Sequence, residues 1–227
     1  MRLAIIIPAL NEAKALPPLL AQLQAWRDTG DEVIVVDGGS DDATRELAGP
    51  WVDQLVNSER GRARQLNAGA AAASDSVQAF WFLHADSDIA SVRRDEIVAA
   101  LLSTSPWGWC TVAIDDQAPV FRLVERCMRW RSSATRVCTG DQAMFVDRRL
   151  FERLGQYRDI ALMEDVEFAK RARQICTPHV VRGTVRTSSR RWRGRGIVKT
   201  VLLMWRLRLL WWLGISPARL ARAYDHR

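Results

Sequence analysis

Several common signatures of nucleotide- and metal-binding proteins are missing from this 227-residue sequence. It has neither the GxxxxGK[ST] loop of P-loop NTPases nor the GxGxxG fingerprint of dinucleotide-binding folds, so both classes lose support. No CxxC pair occurs among its four cysteines, which are Cys110, Cys127, Cys138 and Cys176. A structural zinc site or a disulfide framework is therefore disfavoured, and free thiols in a reducing cytoplasm are expected.

Long apolar runs are also missing. A membrane-spanning helix typically needs about 18 or more consecutive apolar residues. The nearest candidate, residues 196–215, is interrupted by Lys199, Arg206 and Arg208. The apolar run before Pro8 is too short for the central region of a signal peptide, so it is expected to form a strand instead.

Charge is distributed unevenly along the chain. The net charge is +7, but residues 182–227 contain twelve basic residues and a single acid, Asp225. The preceding residues contain 21 basic and 25 acidic side chains, so the body of the protein is mildly acidic. This asymmetry points to an anionic partner for the tail, which could be phosphate groups, a lipid surface or nucleic acid.

Short β-type runs alternate with amphipathic helical stretches, and no internal repeat is present. Two expected strands, Leu3–Ile7 and Glu32–Val36, flank an expected helix at about Ala13–Arg27. Their nearly continuous hydrophobicity indicates a sheet covered on both faces. Further strands are expected at residues 51–56, 77–83 and 107–114, and further helices at residues 91–102, 120–130 and 163–175. The pattern predicts one α/β domain with a doubly wound, mostly parallel sheet and a basic helical tail.

Ligands of such sheets bind beyond the carboxyl ends of the strands. Three loops should meet there, at residues 8–12, 37–42 and 84–88. Asp37 follows a strand and precedes two glycines, so it either accepts hydrogen bonds from a ribose or base or merely ends the strand. Ser40 and Asp41 are expected to cap a following helix.

A D-x-D pair, Asp86 and Asp88, follows the strand that ends near Leu83. Two carboxylates at this spacing can hold a hard divalent cation, which would bridge them to a diphosphate. The pair alone is weak evidence, because aspartate is also common in turns. His84 is a further candidate ligand, although a structural role is more usual for such a histidine.

Six segments resemble, in order, the motifs of family 2 glycosyltransferases, whose glycosyltransferase-A fold implies a Rossmann-like nucleotide-binding half. They are AIIIPALNE, VVDGGSDDAT, GRARQLNAGA, FLHADSD, GDQAMF and LMEDVEFAKRAR, which together extend over roughly residues 2–173. The later SSRRWRGRG is similar to the basic loop of a bacterial subgroup. The resemblance implies metal-dependent transfer of a sugar from a nucleotide-sugar donor, with inversion, and Mn²⁺ or Mg²⁺ as the cofactor.

The resemblance also implies site residues. Donor binding would involve Pro8, Asn11, Glu12, Asp37, Arg64, Asn67 and Asp86, and the metal would be held by Asp86 and Asp88. The acceptor side would include Gly140, Asp141, Gln142 and Trp192. Catalysis would involve Asp165 as the base, together with Glu164 and Arg191. The segment with Arg190, Arg191 and Trp192 only loosely matches the QxxRW signature of processive members, so a polymerising synthase is not expected.

Plain structural roles remain open for two of these catalytic residues. A base must act on the side of the sugar opposite the leaving diphosphate, which requires an acidic group remote in sequence from the metal pair. Asp165 could be that group, or it could only compensate the dipole at a helix start. Arg191 could stabilise the diphosphate, or it could lie in a solvated basic loop.

The expected domain organisation is a catalytic domain at residues 1–195 and an amphipathic, basic helical extension at residues 196–227. Apolar residues recur at helical spacing within the extension, between basic ones. Such a helix could lie in a lipid interface, or it could pack on the domain or on a second subunit as a homodimer. A cytoplasmic protein, peripheral at the inner membrane face, would act on an unidentified acceptor there.

Two other functions compete with sugar transfer. A sugar-phosphate nucleotidyltransferase also binds nucleotides on an α/β sheet, but its glycine-rich basic loop after the first strand is missing from PALNEAKALP. A nucleic-acid-binding module could use the basic, tryptophan-containing tail. Given the motifs above, a nucleic acid is not the expected partner.

Overall fold

The computed structural model describes residues 1–225, apart from the side chains of residues 191, 195, 224 and 225. Strands and helices alternate along most of this part of the chain. In order they are β1 (Leu3–Ala9), α1 (Leu16–Arg27), β2 (Glu32–Asp37), α2 (Thr44–Ala48), β3 (Gln54–Asn57), α3 (Arg62–Ala72), β4 (Ala79–Phe82), α4 (Arg94–Leu101), β5 (Trp107–Asp115), α5 (Pro119–Thr135), β6 (Met144–Asp147), α6 (Arg148–Arg153), α7 (Glu164–Ile175), β7 (His179–Ser188), α8 (Arg190–Arg195), α9 (Ile197–Trp212) and α10 (Pro217–Asp225).

The strands form one mixed sheet in the order β3-β2-β1-β4-β6-β5-β7. Strand β1 pairs in parallel with β2 and β4, and β2 pairs in parallel with β3. Strand β6 runs antiparallel to both of its neighbours, whereas β5 and β7 are parallel. The predicted α/β fold with a mostly parallel sheet is confirmed, and the carboxyl ends of β1, β2 and β4 share one edge.

The core has two layers, one on each face of the sheet. In β1, Ile5 and Ile7 belong to the cluster that includes α1 and α4, whereas Ala4 and Ile6 belong to the cluster that includes α3, α6 and α7. All four side chains are fully buried. Because successive residues of a strand face opposite sides, coverage of both faces explains why the strand sequence is hydrophobic throughout.

Strand β7 was not anticipated from the sequence. Its residues alternate between buried and exposed, since it lies at an edge of the sheet and carries arginines on its open side. Its pairing with β5 shifts register between Cys110 and Thr111. Through an antiparallel bridge, β7 also contacts the segment after β4, as described below for Asp88.

Helix α9 has two different faces. Thr200 and Leu207 are buried, and Leu207 and its neighbours pack against the domain core. The opposite face is apolar but exposed, with side-chain exposures of 55–74% at Val198, Leu202, Trp205, Leu209 and Trp212. Packing of the tail on the domain, one of the alternatives left open by the sequence, therefore accounts for only one face of this helix. Within residues 1–225, no helix is long and apolar enough to cross a membrane.

Gly108 in β5 provides a test of the sheet's packing. A Cβ atom there would lie 1.9 Å from the carbonyl oxygen of His179 and 2.6 Å from the ring of Phe145. We expect Gly108→Ala to lower the free energy of unfolding by about 1–3 kcal/mol in urea titrations, because β7 must move away. Gly49→Ala is the control, since Gly49 is helical and has open space around it. Equal losses in the two variants would contradict this account of the β5–β7 contact.

Candidate active site

The loops after β1 and β2 are joined by hydrogen bonds. The N–H of Asn11 donates to Ser40 Oγ at 2.9 Å, and the side-chain oxygen of Asn11 accepts from the N–H of Asp41 at 2.8 Å. The N–H of Glu12 donates to Thr44 Oγ1 at 2.8 Å. Asn11 has a φ of 56°, a left-handed conformation that asparagine tolerates better than most residues. The side chain of Asn11 therefore shapes the rim of the sheet.

The expectation that Ser40 or Asp41 caps the next helix is wrong. Helix α2 begins at Thr44, whose N–H donates to the Asp42 carboxylate at 3.0 Å. The hydroxyl of Ser40 is instead used by Asp37, to which it donates at 2.5 Å. Ala43 occupies the N-cap position of α2 and makes no side-chain capping bond.

Asp37 is buried at the end of β2. Its carboxylate also accepts the N–H groups of Gly39 and Ser40, each at 3.1 Å, and lies 3.6 Å from the guanidinium of Arg45. Burial opposes ionisation, but these hydrogen bonds and the Arg45 charge hold the pKa of Asp37 below its ordinary value. The rim of the sheet therefore carries a fixed negative charge beside β1.

The first loop also contacts the basic segment near the C-terminus. The carboxylate of Glu12 lies 3.6 Å from the guanidinium of Arg190, the first residue of α8. Pro8, which precedes this loop, is partly exposed in β1 and pairs in register with Val36. Helix α8 therefore lies beside the loop that follows β1, although the two segments are far apart in sequence.

Asp86 and Asp88 lie just beyond β4. Exposure alternates here, with His84 and both aspartates partly exposed and the residues between them buried. The backbone of Asp88 exchanges two hydrogen bonds with Arg186 of β7, at 2.8 and 2.9 Å, and its carboxylate accepts the N–H of Ala90 at 3.0 Å. Strand β7 therefore fixes the segment that carries the D-x-D pair.

The chemistry of this pair suits a cation shared with a substrate. Among the described residues, no cluster of three or more histidine, cysteine, aspartate or glutamate side chains could hold a metal ion. Mg²⁺ and similar ions are usually bound by one or two carboxylates together with water and substrate phosphates, rather than by a complete protein cage. Asp86 and Asp88 fit that partial ligand set.

The segment between α5 and β6 forms a tight turn at Gly140–Gln142. Gln142 is buried, and its side-chain oxygen accepts hydrogen bonds from Ser132 Oγ at 2.8 Å and from the N–H of Thr139 at 3.1 Å. A third donor is Nη2 of Arg131, at 3.3 Å. The buried side chain of Gln142 therefore holds the Gly140–Gln142 turn in place.

Gly140 lies where the turn meets the residues at the end of β4. Its N–H donates to Asp165 Oδ2 at 2.6 Å, and a Cβ atom on it would lie 2.7 Å from His84 Nε2. The neighbouring Asp141 has a buried carboxylate oxygen, Oδ1, without a hydrogen-bond partner among the described residues. Burial raises the pKa of Asp141. Gly140 thus lies between His84 and the carboxyl of Asp165.

Helix α7 begins with the adjacent acids Glu164 and Asp165. Asp165 Oδ1 accepts the N–H of Val166 at 2.6 Å. Burial, followed by the charge of Glu164, raises the pKa of Asp165 to about 6. Glu164 is itself buried, and its carboxylate lies 3.6 Å from the guanidinium of Arg62 in α3. Asp165 therefore keeps its proton to a higher pH than an ordinary aspartate does.

A small cavity of about 20 Å³ connects these groups. That volume is enough for about one water molecule. Its lining includes polar side chains from α3, from the segment after β4, from the turn before β6 and from α7, together with apolar side chains of the core: Arg62, Leu66, Phe82, Leu83, His84, Cys138, Thr139, Gly140, Met144, Tyr157, Glu164 and Asp165. The cavity shows that the segments FLHADSD, GDQAMF and LMEDVEF, far apart in sequence, meet at one place.

Two further candidates for donor binding, Arg64 and Asn67, make ion pairs or hydrogen bonds within the protein. The guanidinium of Arg64 is exposed and pairs with Glu59 and Asp159, at 2.5 and 2.9 Å. Asn67 uses both ends of its amide on the backbone of Tyr157, at 2.8 and 3.1 Å. Asn67 therefore holds the loop before α7 in place.

Of the two candidates in α8, Trp192 lines a different groove from this cavity. Trp192 packs edge-on against Phe121, with 6.3 Å between ring centroids, and lines an open groove with Asp116 and Ile197. Arg191 lies in α8, but its side chain is outside the part of the chain that the structure describes.

Sequence reasoning missed Arg131. It lies in an amphipathic helix whose other arginines are exposed, so its pattern resembles that of a solvent-facing residue. In the fold it is partly buried, and burial lowers its pKa despite the opposing charges of Asp141 and Asp165. The ion pair of Arg62, at the start of α3, with Glu164 was also missed.

Comparison with known proteins agrees with this geometry. Residues 4–104 match the family model described as Glycosyl transferase family 2. The comparison with curated proteins found no match.

Solved structures match over a longer range. A mannosyltransferase from Pyrobaculum calidifontis, in complex with GDP-Man and Mn²⁺, has 23% identity and a TM-score of 0.60, covering 82% of this chain and 56% of its own. Staphylococcus aureus TarS in complex with UDP has 17% identity and a TM-score of 0.65, covering 83% and 60%. Glucosyl-3-phosphoglycerate synthase from Mycobacterium tuberculosis, with Mn²⁺, UDP and product, has 16% identity and a TM-score of 0.57, covering 81% and 70%. These likenesses confirm the glycosyltransferase-A fold, while the chain spans a little over half the length of the mannosyltransferase.

The raised pKa of Asp165 predicts a pH-dependent stability difference. A carboxyl with a raised pKa in the folded state stabilises that state at low pH, and the contribution is lost as the pH rises from about 4 through about 6. Asp165→Asn lacks this titration. We therefore expect the stability of the variant relative to the unchanged protein to increase between pH 4 and pH 7, by roughly 1–3 kcal/mol. The measurement is urea unfolding at several pH values. The raised pKa of Asp165 is refuted if the difference in the free energy of unfolding between the variant and the unchanged protein stays constant with pH. The altered hydrogen bonds add only a constant to this difference.

Proposed function

We propose that this protein is a glycosyltransferase that moves a sugar from a nucleotide-sugar donor to an acceptor hydroxyl, with a divalent cation and with inversion. The observation that carries the proposal is the meeting of two acidic sites around the end of β4. One is the partly exposed pair Asp86 and Asp88, and the other is the buried carboxyl of Asp165. The family match over residues 4–104 supports the same reaction.

The donor would occupy the rim formed by β1, β2 and β4. Asp37 offers an ionised carboxylate for the ribose or the base, and the loop of Pro8, Asn11 and Glu12 forms the adjacent wall. Mn²⁺ or Mg²⁺, held by Asp86 and Asp88, would neutralise charge on the departing diphosphate. The similar mannosyltransferase was solved with GDP-Man and Mn²⁺, which supports a donor of this class.

Asp165 would act as the general base. In an inverting transfer the acceptor oxygen bonds to the anomeric carbon as the bond to the diphosphate breaks, and the acceptor's proton passes to the base. A base works best when its pKa lies near the working pH, and a value of about 6 keeps Asp165 mostly ionised at pH 7 while strengthening it as a proton acceptor. Hydrogen bonds from the N–H groups of Gly140 and Val166 orient the carboxylate.

The remaining residues would have supporting roles. Glu164, paired with Arg62, contributes the negative charge that helps to raise the pKa of Asp165. Gly140 and Asp141 would line the acceptor side, and Gln142 would hold their turn in place. Arg191 would stabilise the diphosphate and Trp192 would contribute to the acceptor side, since α8 begins at the Arg190–Glu12 contact.

We also propose that transfer takes place beside a membrane, at the cytoplasmic face of the inner membrane. Residues 1–195 would form the catalytic domain, and residues 196–227 would be an extension that packs on it and faces lipid. The outward stripe on α9, from Val198 to Trp212, supports this role, because Lys199 and Arg206 flank it and α9 contains no acid. Apolar side chains with flanking cations are typical of helices that lie in a lipid interface.

The metal site predicts a specific loss in Asp88→Asn. Donor binding should lose its dependence on Mn²⁺, because one of only two carboxylate ligands is removed, while the fold persists because the backbone bonds of Asp88 to Arg186 remain. Thermal shift with UDP- and GDP-sugars, with and without Mn²⁺, is the measurement. Asp95→Asn, on the exposed start of α4, is the matched control. Full metal dependence in Asp88→Asn would remove Asp88 from the metal site.

The proposed base predicts a different outcome for Asp165→Asn. Donor affinity should be retained, whereas the rate of transfer should fall by about 10²- to 10⁴-fold, because the base acts only in the chemical step. The rate of the unchanged enzyme should fall as the pH drops below about 6, where Asp165 takes up a proton. Initial rates and donor titrations across pH separate the two effects. Weakened donor binding with an unchanged rate would place Asp165 on the donor side instead.

A further inference from the structure

Helix α5 carries a second exposed apolar stripe. Val120, Leu123 and Trp130 are 38%, 60% and 75% exposed, and Cys127 between them is exposed as well. Their spacing of three or four residues places them on one face of the helix. The opposite face is buried through Phe121 and Ser132. Helix α5 therefore resembles α9 in having one face in the domain and an apolar face outside it.

The outward charge of α5 is positive. Arg126 and Arg129 are exposed beside the apolar stripe and have no hydrogen-bond or ion-pair partner among the described residues. The one acid of the helix, Glu125, is buried, where it accepts the N–H of Ile114 at 2.7 Å and pairs with Arg122 at 3.0 Å. The negative charge of α5 thus faces inward, and its unpaired cations face solvent.

The two helices start at the same place. The N-terminal turns of α5 and α9 line one open groove, which contains Phe121 and Trp192 in edge-to-face contact and Ile197 of α9. In this groove Arg193 Nε bonds to the carboxylate of Asp116 at 2.6 Å, which ties α8 to the segment before α5. The two helices that carry the stripes therefore begin beside the same groove at α8.

Helix α5 also leads directly to the acceptor-side turn. Near its C-terminal end, Arg131 and Ser132 hold the side chain of Gln142, and the N–H of Gly140 holds Asp165. A surface that bound α5 would consequently lie along the element that supports the proposed base.

We propose that α5 and α9 together form one docking surface for an anionic lipid bilayer, so that the acceptor is a hydroxyl on a membrane-anchored molecule. The proposal rests on the membrane role given to α9 above and extends it to α5. Charge favours a bilayer over a second copy of the chain. The unpaired charges beside the α5 stripe and all the charges of α9 are positive, so pairing this surface with itself would bring like charges together, whereas anionic headgroups complement them.

Vesicle flotation tests the proposal independently of sugar transfer. The probes are vesicles of neutral phosphatidylcholine alone and vesicles containing phosphatidylserine, at low and high salt. Three double variants are compared: Leu123→Ser with Trp130→Ser in α5, Leu202→Ser with Trp205→Ser in α9, and Leu102→Ser with Trp51→Ser as a control on exposed apolar residues elsewhere. Thermal melts verify that each variant folds.

We expect the unchanged protein to float with phosphatidylserine vesicles at low salt. The α5 and α9 variants should each lose at least tenfold in bound fraction, and the control should keep its binding. Arg126→Gln with Arg129→Gln should weaken binding to anionic vesicles and reduce its salt dependence.

Three outcomes would overturn the proposal. If the α5 variant floats as well as the unchanged protein while the α9 variant does not, α5 lies outside the docking surface and the role of α9 stands. If the unchanged protein never floats, both membrane proposals fail, and the sugar-transfer assays decide that function separately. If it sediments as a dimer that the α5 variant dissociates, and does not float, a second copy covers this surface.

Discussion

Parallel pairing of β1 with β2 and β4 is the constraint on which the proposed site depends. Because these strands run in the same direction, the loops that follow them meet at one edge, and loops far apart in sequence become neighbours. The hydrophobic cost of exposing either face of β1 fixes this arrangement, since its alternate residues are buried in two separate layers. Polar chemistry is then confined to the strand ends, where Asp37 and the D-x-D pair emerge.

Two aspartates of the proposed site, Asp37 and Asp165, have opposite electrostatic surroundings. Asp37 receives hydrogen bonds and a nearby cation, and its pKa is lowered. Asp165 is partly buried next to Glu164, and its pKa is raised to about 6. This difference fits the proposed roles, in which Asp37 stays an anion that binds the donor and Asp165 accepts a proton. Environments that separate the pKa values of two carboxyl groups commonly mark different roles in one site.

Much of the fold could be predicted from the sequence, because the buried strands and amphipathic helices have distinct periodicities. The order of strands near β6 and the presence of β7 could not, since an edge strand with alternating arginines lacks a strong signal. Within the site, short motifs indicated Asp86, Asp88 and Asp165. Asn67 and Gln142 hold their loops through hydrogen bonds to Tyr157 and Ser132. These partners lie elsewhere in the sequence, so motif spacing does not predict the contacts. Arg131 escaped notice because helical periodicity does not reveal which arginine of a helix faces inward.

The central claim is that a nucleotide sugar and a divalent cation share the edge formed by β1, β2 and β4. A crystal structure of the protein soaked with Mn²⁺ and a nucleoside diphosphate, with anomalous data collected at the manganese edge, tests it most directly. The account predicts an anomalous peak coordinated by Asp88 or Asp86 and by the diphosphate, with the nucleoside next to Asp37. A nucleotide bound elsewhere, for example in the groove beside Trp192, with no manganese at the two aspartates would contradict it.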